Sequence, residues 1–427
     1  MGLGLCLLGT LTGDPPPDII IDRLVHWAAR RLPDTLVTRG TDGDDRPTLF
    51  VDVHPAAENV ELVAVARGRL VASANTSTVG PGYHSYVVGL LDSLAADLGV
   101  AWELTREDGD YGDETSYFER RDFAELQREM LAWLHEVAKQ LEKLDGTSFD
   151  IAMPTSHRFE QPAFARTPLG PRDRAWFEAV ARTPEDGIDF FSWWNEGVTA
   201  DHHLSVALSL MWSQIRWRAP NNDAEQKCVD RVVAALGRAF QLDARGPYPF
   251  REWAELVNWT EHAEPPRQWL QSRASEQDAG APLIGYRRHP VRVALTAGWS
   301  LRLPGSFSEE WDENGTLCAW EGTRTIWFTS FQFDDSQEPP SERPPSSEVR
   351  EAGEHFHRSD GALSSHAVLV RIKENGQSSF SLKTTTTLPS RRAICTICFD
   401  DECDRDWALE TWKSLTHPES GQPSEEA

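Results

Sequence analysis

The chain has 427 residues, 40% of them apolar and 26% charged, which supplies two or three domain cores and excludes wholesale disorder. Its 67 acidic residues outnumber 42 basic ones, a formal net charge of −25. Such a field repels phosphate backbones and anionic lipid, so nucleic acid and membranes are excluded as main partners and a basic protein partner is favoured.

No apolar run approaches the ~18 residues of a membrane helix. Met1–Thr10 is apolar but lacks the basic start and small-residue cleavage site of a signal peptide, so a cytoplasmic location is expected. The six cysteines are too few for a disulfide framework. Of the 42 basic residues only six are Lys, a usage that matches GC-rich bacterial coding.

Residues 1–110 read as an α+β unit. Leu3–Leu11 has strand character, Asp14-Pro-Pro-Pro-Asp18 breaks it, and Asp18 is placed to cap a helix over Ile19–Leu32. Three extended runs follow at Thr48–His54, Val60–Ala66 and Leu70–Thr76, the last two joined by a tight turn at Gly68. Gly80-Pro81-Gly82 stops the sheet. Tyr86, Val87, Leu90, Leu91 and Leu94 then recur at helical spacing within Tyr83–Leu98, and Val100–Leu104 returns as a strand.

Residues 111–275 read as mainly helical and Trp-rich, either a separate domain or one body with 1–110. The clearest helix runs over Asp122–Leu144, with Phe123, Leu126, Met130, Leu134, Val137, Leu141 and Leu144 at steps of three or four. The Pro-punctuated stretch Pro154–Pro171 reads as an irregular connector. Further helices are expected near Arg172–Arg182, Thr199–Arg218, Asp223–Leu242 and Pro249–Trp259.

Residues 281–418 read as a second α+β unit. Strand composition marks Val291–Leu303, Thr323–Phe333, Ala367–Ile372, Phe380–Thr385 and Ala393–Phe399, with a hairpin signal at Asn375-Gly376 and a closing helix at Asp404–Leu415. The Pro-, Ser- and Glu-rich stretch 334–352 is expected to be a mobile excursion, and 419–427 a disordered tail.

Several constellations are candidates for function. Thr76, Ser77, Gly80, Gly82, Tyr83 and His84 lie between a strand and a helix. There, glycines let backbone approach a ligand and a helix N-terminus favours an anion; a plain Gly/Pro turn fits the same residues. Asp52 and His54 project from one face of a strand and, with His84, make a candidate divalent-metal set. His202 and His203 diverge by about 100° on a helix and should not chelate together. His355 and His357 form an i, i+2 pair, with His366 nearby in sequence; bordering the excursion, they read as solvated surface. Cys395 and Cys398, three apart on a strand, face opposite sides and read as structural thiols.

The 17 tryptophans offer either core packing or interface anchors. The interface candidates are Trp193, Trp194, Trp212, Arg216 and Trp217, with Arg216 stacked between indoles. There is no G-x-S-x-G elbow, H-E-x-x-H, P-loop or dinucleotide fingerprint, so no catalytic residue is assigned and no cofactor is expected.

In the C-terminal third, Ala297-Gly298-Trp299 is followed by Leu303-Pro304-Gly305-Ser306-Phe307. Trp320-Glu321-Gly322 then precedes a strand, and the closing helix Trp407–Leu415 ends in Lys413-Ser414-Leu415. This pattern resembles PsbP-like domains, αβ sandwiches in which helices cover an antiparallel sheet. The resemblance implies a scaffold or docking role.

The expectation is therefore an α+β multidomain protein: an N-terminal mixed unit, a helical middle and a PsbP-like C-terminal unit. Its expected role is non-catalytic interaction or regulation, for example as a bacterial immunity or defence-accessory protein that binds a basic partner. The alternative is a small-molecule or metal-dependent hydrolase with its site near the 76–84 loop.

Overall fold

The computed structural model of the chain describes residues 2–33, 35–103, 112–144, 148–261, 265–278, 280, 282–333, 353–374 and 377–420. Two units divide it, and both are discontinuous. Unit 1 comprises Met1–Met153, Ala163–Gln214 and Asn222–Ile284; unit 2 comprises Pro154–Pro162, Ile215–Asn221 and Gly285–Ala427. Each combines helices with antiparallel sheet, an α+β architecture. No described helix is long and apolar enough to cross a membrane.

Unit 1 opens with β1 (Gly4–Leu11), α1 (Pro17–Arg31), β2 (Leu36–Thr41), β3 (Pro47–Asp52), β4 (Val60–Ala66), β5 (Arg69–Asn75), α2 (Pro81–Leu98), β6 (Val100–Glu103) and β7 (Gly112–Asp113). The strands form one antiparallel sheet in the order β2-β3-β4-β5-β1-β6, with β7 paired to the start of β1. The pleat sorts the side chains into faces. One cross-strand row, Leu49, Leu62, Ala72 and Leu7, is wholly buried with α1 and α2 in the main core. The neighbouring row, Phe50, Glu61, Ser73 and Cys6, points the other way and is half-buried.

Pro16, not Asp18, holds the N-cap position of α1; Asp18 sits in its first turn, where its charge favours the helix dipole. The sequence reading missed β2. It is an edge strand with Leu36 65% exposed, and no buried face imprints an alternating pattern on it.

Next come α3 (Tyr117–Arg120) and α4 (Phe123–Glu142), then β8 (Phe149–Asp150), β9 (His157–Phe159), β10 (Ala165–Thr167) and β11 (Gly170–Arg172). The Asp122 carboxylate caps α4 by accepting the Glu125 N–H. The expected irregular connector, Pro154–Pro171, carries β9, β10 and the start of β11; β10 and β11 form a small sheet with the preceding β8, while β9 belongs to unit 2. The helices α5 (Arg174–Arg182), α6 (Ala200–Ser213), α7 (Asp223–Leu242), α8 (Phe250–Leu256) and α9 (Arg267–Glu276) complete unit 1. α6 ends at Ser213, short of the expected Arg218. Residues 215–221 belong to unit 2, and Trp217 adopts a left-handed φ of 55° that no helix continues through.

Unit 2 continues with β12 (Val291–Ala294), β13 (Ser300–Leu303), β14 (Ser308–Trp311), β15 (Leu317–Glu321), β16 (Arg324–Gln332), β17 (Glu354–Asp360), β18 (Leu363–Glu374), β19 (Gln377–Leu388), β20 (Arg391–Phe399) and α10 (Arg405–Lys413). Its main sheet has the antiparallel order β14-β15-β16-β20-β19-β18-β17, and a second sheet has the order β13-β12-β9. The run Val291–Leu303, expected as one strand, folds back on itself as β12 and β13, with Ala297 at φ 57° in the turn. α10 covers one face of the main sheet, where the Trp412 indole N–H donates to Ser365 Oγ at 2.8 Å. The Asn375-Gly376 turn and the 334–352 stretch lie outside the described residues. Glu419 and Ser420, expected in a disordered tail, are ordered. Ser420 is 2% exposed, and the preceding His417 ring packs 5.0 Å from Trp299. Residues 421–427 lie outside the described residues.

Glu309, on β14, ties together the three chain segments of unit 2. Its Oε2 accepts from His157 Nε2 at 2.7 Å; its Oε1 accepts from Arg287 Nη1 at 2.9 Å and Arg216 Nη2 at 3.4 Å. The three donors come from three different segments. Arg216 Nε also donates to the Phe307 carbonyl at 2.6 Å, and Arg218 Nε to the Ser306 carbonyl at 2.7 Å. Burial alone would raise the Glu309 carboxyl. The His157 hydrogen bond and the Arg287 and Arg216 charges overcome that and hold it at about 2.

Replacing Glu309 with Ala leaves Arg216 and Arg287 buried without their anion, and unit 2 should lose about 3–5 kcal/mol. Lowered from an ordinary 4.5 to about 2, the carboxyl contributes its full stabilisation above pH 4.5 and loses it as pH falls towards 2. Urea unfolding of wild type and Glu309→Ala at several pH values checks both points. An unchanged midpoint in the variant would remove the carboxylate from this role.

Candidate functional site

The expected anion loop is built as a packing joint. The Gly82 N–H donates to the Trp193 carbonyl at 2.9 Å, and the Trp193 N–H to the Val79 carbonyl at 2.8 Å. A Cβ at Gly82 would stand 2.2 Å from Trp193 Cδ1 and 2.3 Å from the Asn195 carbonyl oxygen. Gly80, at φ 116°, is closed over by Phe191 and the Trp193 carbonyl. The glycines therefore admit another part of the same chain, and the space a ligand would need is filled. Thr76, Ser77 and Tyr83 are fully buried, and burial, reinforced by Asp52 and Glu58, pushes the Tyr83 phenol above its ordinary range.

Behind this joint lies a relay of polar groups. Thr76 Oγ1 is 2.8 Å from His84 Nδ1, and His84 Nε2 is 3.2 Å from Asp113 Oδ2. Asp113 also accepts the Thr115 hydroxyl at 2.8 Å and the Phe118 N–H at 2.7 Å. Burial would raise the Asp113 carboxyl, but the His84 bond and these donors hold it at about 2. The connectivity is that of a hydroxyl–imidazole–carboxylate triad. Thr76 and His84 are both 0% exposed, and a nucleophile must touch its substrate. The relay fastens residues 113–118 to the start of α2.

The candidate metal set does not assemble. Asp52 pairs with Arg231 at 3.7 Å, and His84 is committed to Thr76 and Asp113. Among the described residues, no group of three or more His, Cys, Asp or Glu side chains is disposed to hold a metal ion. His54 is wholly buried and lies beside His202, ring centroids 5.7 Å apart. Its Nδ1 accepts the Ala56 N–H at 3.1 Å, so the neutral ring carries its proton on Nε2, which faces Ser205 Oγ at 3.5 Å. In this tautomer Nε2 has no lone pair for the Ser205 proton, so the pair is not an activated nucleophile. Burial depresses His54 well below its usual range, with the charges of His202 and Arg231 adding to it. Burial and His203 lower His202 to about 4.

The tryptophan candidates separate from one another. Trp193 is 2% exposed, its ring tilted against that of His202 with centroids 3.9 Å apart, and donates to the Gly197 carbonyl at 2.9 Å. Trp212 is buried with its indole over Gly170. Trp194 is half-buried, 5.4 Å from Phe191. Arg216 is committed to Glu309, and the Trp217 ring is covered by Arg288 at 3.8 Å. Cys395 is buried, its thiol pushed up to about 12 by burial and Cys398, and all six cysteines are free.

What the sequence reading missed is a cleft. A space of ≈ 900 Å³ opens over the outward row Phe50, Glu61, Ser73 and Cys6, and its walls include Glu58, Asn59, Asn75 and Glu114. Three of its lining side chains are carboxylates and none is basic. Glu114 Oε2 accepts the Gly4 N–H at 2.7 Å, while Glu58 is exposed. Period-two alternation sets Phe50, Glu61, Ser73 and Cys6 on one face of their strands, but only the strand register puts them side by side.

Gly82→Ala should lower the unfolding midpoint of unit 1 by an amount equivalent to about 1–3 kcal/mol, the cost of overpacking, as measured by thermal denaturation. His202 is depressed from 6.5 to about 4, so unfolding releases a group that takes up protons more readily. Stability should be full above pH 6.5 and fall as pH drops from 6.5 towards 4. His202→Leu should flatten the curve in that window, and an unchanged slope would count against the burial of a neutral ring.

No family model matches the chain, and no curated protein matches it. Among solved structures, a protein from Bacteroides thetaiotaomicron is similar over 30% of this chain and 48% of its own, at 17% identity and a TM-score of 0.24. A likeness that loose carries no argument about fold or function.

Proposed function

We propose that the chain is a protein-interaction module whose N-terminal sheet receives a basic segment of a partner in the cleft over Phe50, Glu61, Ser73 and Cys6. The observation that carries this reading is the lining: Glu58, Glu61 and Glu114 together with Asn59, Asn75 and Ser73, and no basic side chain. Carboxylates in a concave wall concentrate the field of a body that already carries −25, and attract cations over a long range. Arg side chains suit such a wall because their guanidinium forks bond carboxylates in pairs. Phe50 supplies a flat apolar partner for their planes. The PsbP-like reading of the C-terminal unit supports the same role, as a scaffold. Neutralising a basic effector, as an immunity or defence-accessory protein does, is its concrete form.

The test uses the full chain and a fluorescent oligoarginine peptide, followed by anisotropy at low and near-physiological salt. Saturable binding that weakens as salt rises is expected. Glu58→Lys combined with Glu61→Lys should weaken it by at least about tenfold through like-charge repulsion. A variant that binds as tightly as wild type would place the basic partner elsewhere.

A further inference from the structure

The edge of the main sheet in unit 2 brings together three histidines. His355 and His357 are two apart on β17 and so leave the same face, and the register sets His357 directly opposite His366 on β18. The His366 ring lies between the other two. Its centroid is 4.6 Å from that of His357 and 5.4 Å from that of His355, with interplanar angles of 28° and 22°. His355 Nδ1 is 3.2 Å from His366 Nε2. His355 and His357 are exposed and His366 is half-buried.

We propose that His355 and His366, with His357 as third ligand, form a surface site for a borderline divalent transition metal of the Zn²⁺ or Ni²⁺ class. Two imidazole nitrogens on one tetrahedral ion, each about 2.0–2.1 Å from it, stand about 3.3 Å apart. The His355–His366 pair is already at that spacing. The nitrogens face one another as placed, and among the described residues no three such side chains converge on one point. Loading therefore takes a turn of the rings about χ2, a broad torsion in His.

The donor set is imidazole only, which selects Zn²⁺, Ni²⁺ or Cu²⁺ over the oxygen-seeking Mg²⁺ and Ca²⁺. The neighbouring carboxylate, Glu354, is engaged by Arg405 at 2.7 Å. From β19, Thr385 stands opposite His366 and Lys383 opposite Val368. A bound ion would fasten β17, the last strand of the sheet among the described residues, to β18.

Calorimetric titration of the full chain with Zn²⁺ at neutral pH tests this. Wild type and a control, His26→Ala on the exposed side of α1, should each take up one ion saturably. His366→Gln should lose that uptake, and His357→Gln should weaken it by about tenfold or more. Circular dichroism confirms that the variants are folded. Zn²⁺ should slow hydrogen exchange across β17 in wild type and His26→Ala but not in His366→Gln. Absence of uptake by wild type, or equal uptake by folded His366→Gln, would overturn the assignment; unchanged affinity in His357→Gln would remove the third ligand.

Discussion

Much of unit 2 depends on a single ionised carboxylate. Glu309 has 6% of its side chain exposed, and burying a bare carboxylate costs several kcal/mol. The chain meets that cost with three donors, His157, Arg216 and Arg287, and each donor must be brought from a different stretch of sequence. Charge balance and chain path are therefore one constraint. Arg216 bonds Glu309 and the Phe307 carbonyl from the stretch that follows the end of α6 at Ser213, in which Trp217 is left-handed. His157 reaches it only if β9 lies beside β12, the pairing the structure shows.

Unit 1 solves a related problem without surplus charge. Its Thr76–His84 relay ends on the Asp113 carboxylate, and burial lowers the pKa of His54 and His202, favouring their neutral form. Three carboxylates, Glu58, Glu61 and Glu114, line the open space over the row from Phe50 to Cys6. One pleated surface thus carries two opposite chemistries, a dry face built on Leu7 and Leu62 and a wet acidic face one residue out of step.

The parts that were legible in the sequence are those whose signal is local. α2 and α4 carry a helical stripe, β4 and β5 alternate around a turn at Gly68, and Asp122 marks the start of α4. The parts that were not legible are set by distant partners. β2 lies at an edge and has no inward face to pattern it. The Gly80–Gly82 loop carries the composition of a ligand loop, but what it approaches is Trp193, more than a hundred residues on. The histidines of β17 and β18 looked like solvated surface because sequence spacing does not reveal that His357 and His366 share one register position. Both Glu309 and the acidic cleft consist of residues that are unremarkable one by one.

The discontinuity of unit 2 also orders events in time. His157 leaves the ribosome 152 residues before the carboxylate it serves. At synthesis rates of roughly 5–20 residues per second, that is a wait of about 8–30 seconds. During it, His157 and Arg216 are both made before the carboxylate they bind, while most of unit 1 has already been translated around them. The ion cluster of unit 2 cannot close until β14 arrives, so the last third of the protein decides when the segments at 157 and 216 find their anion.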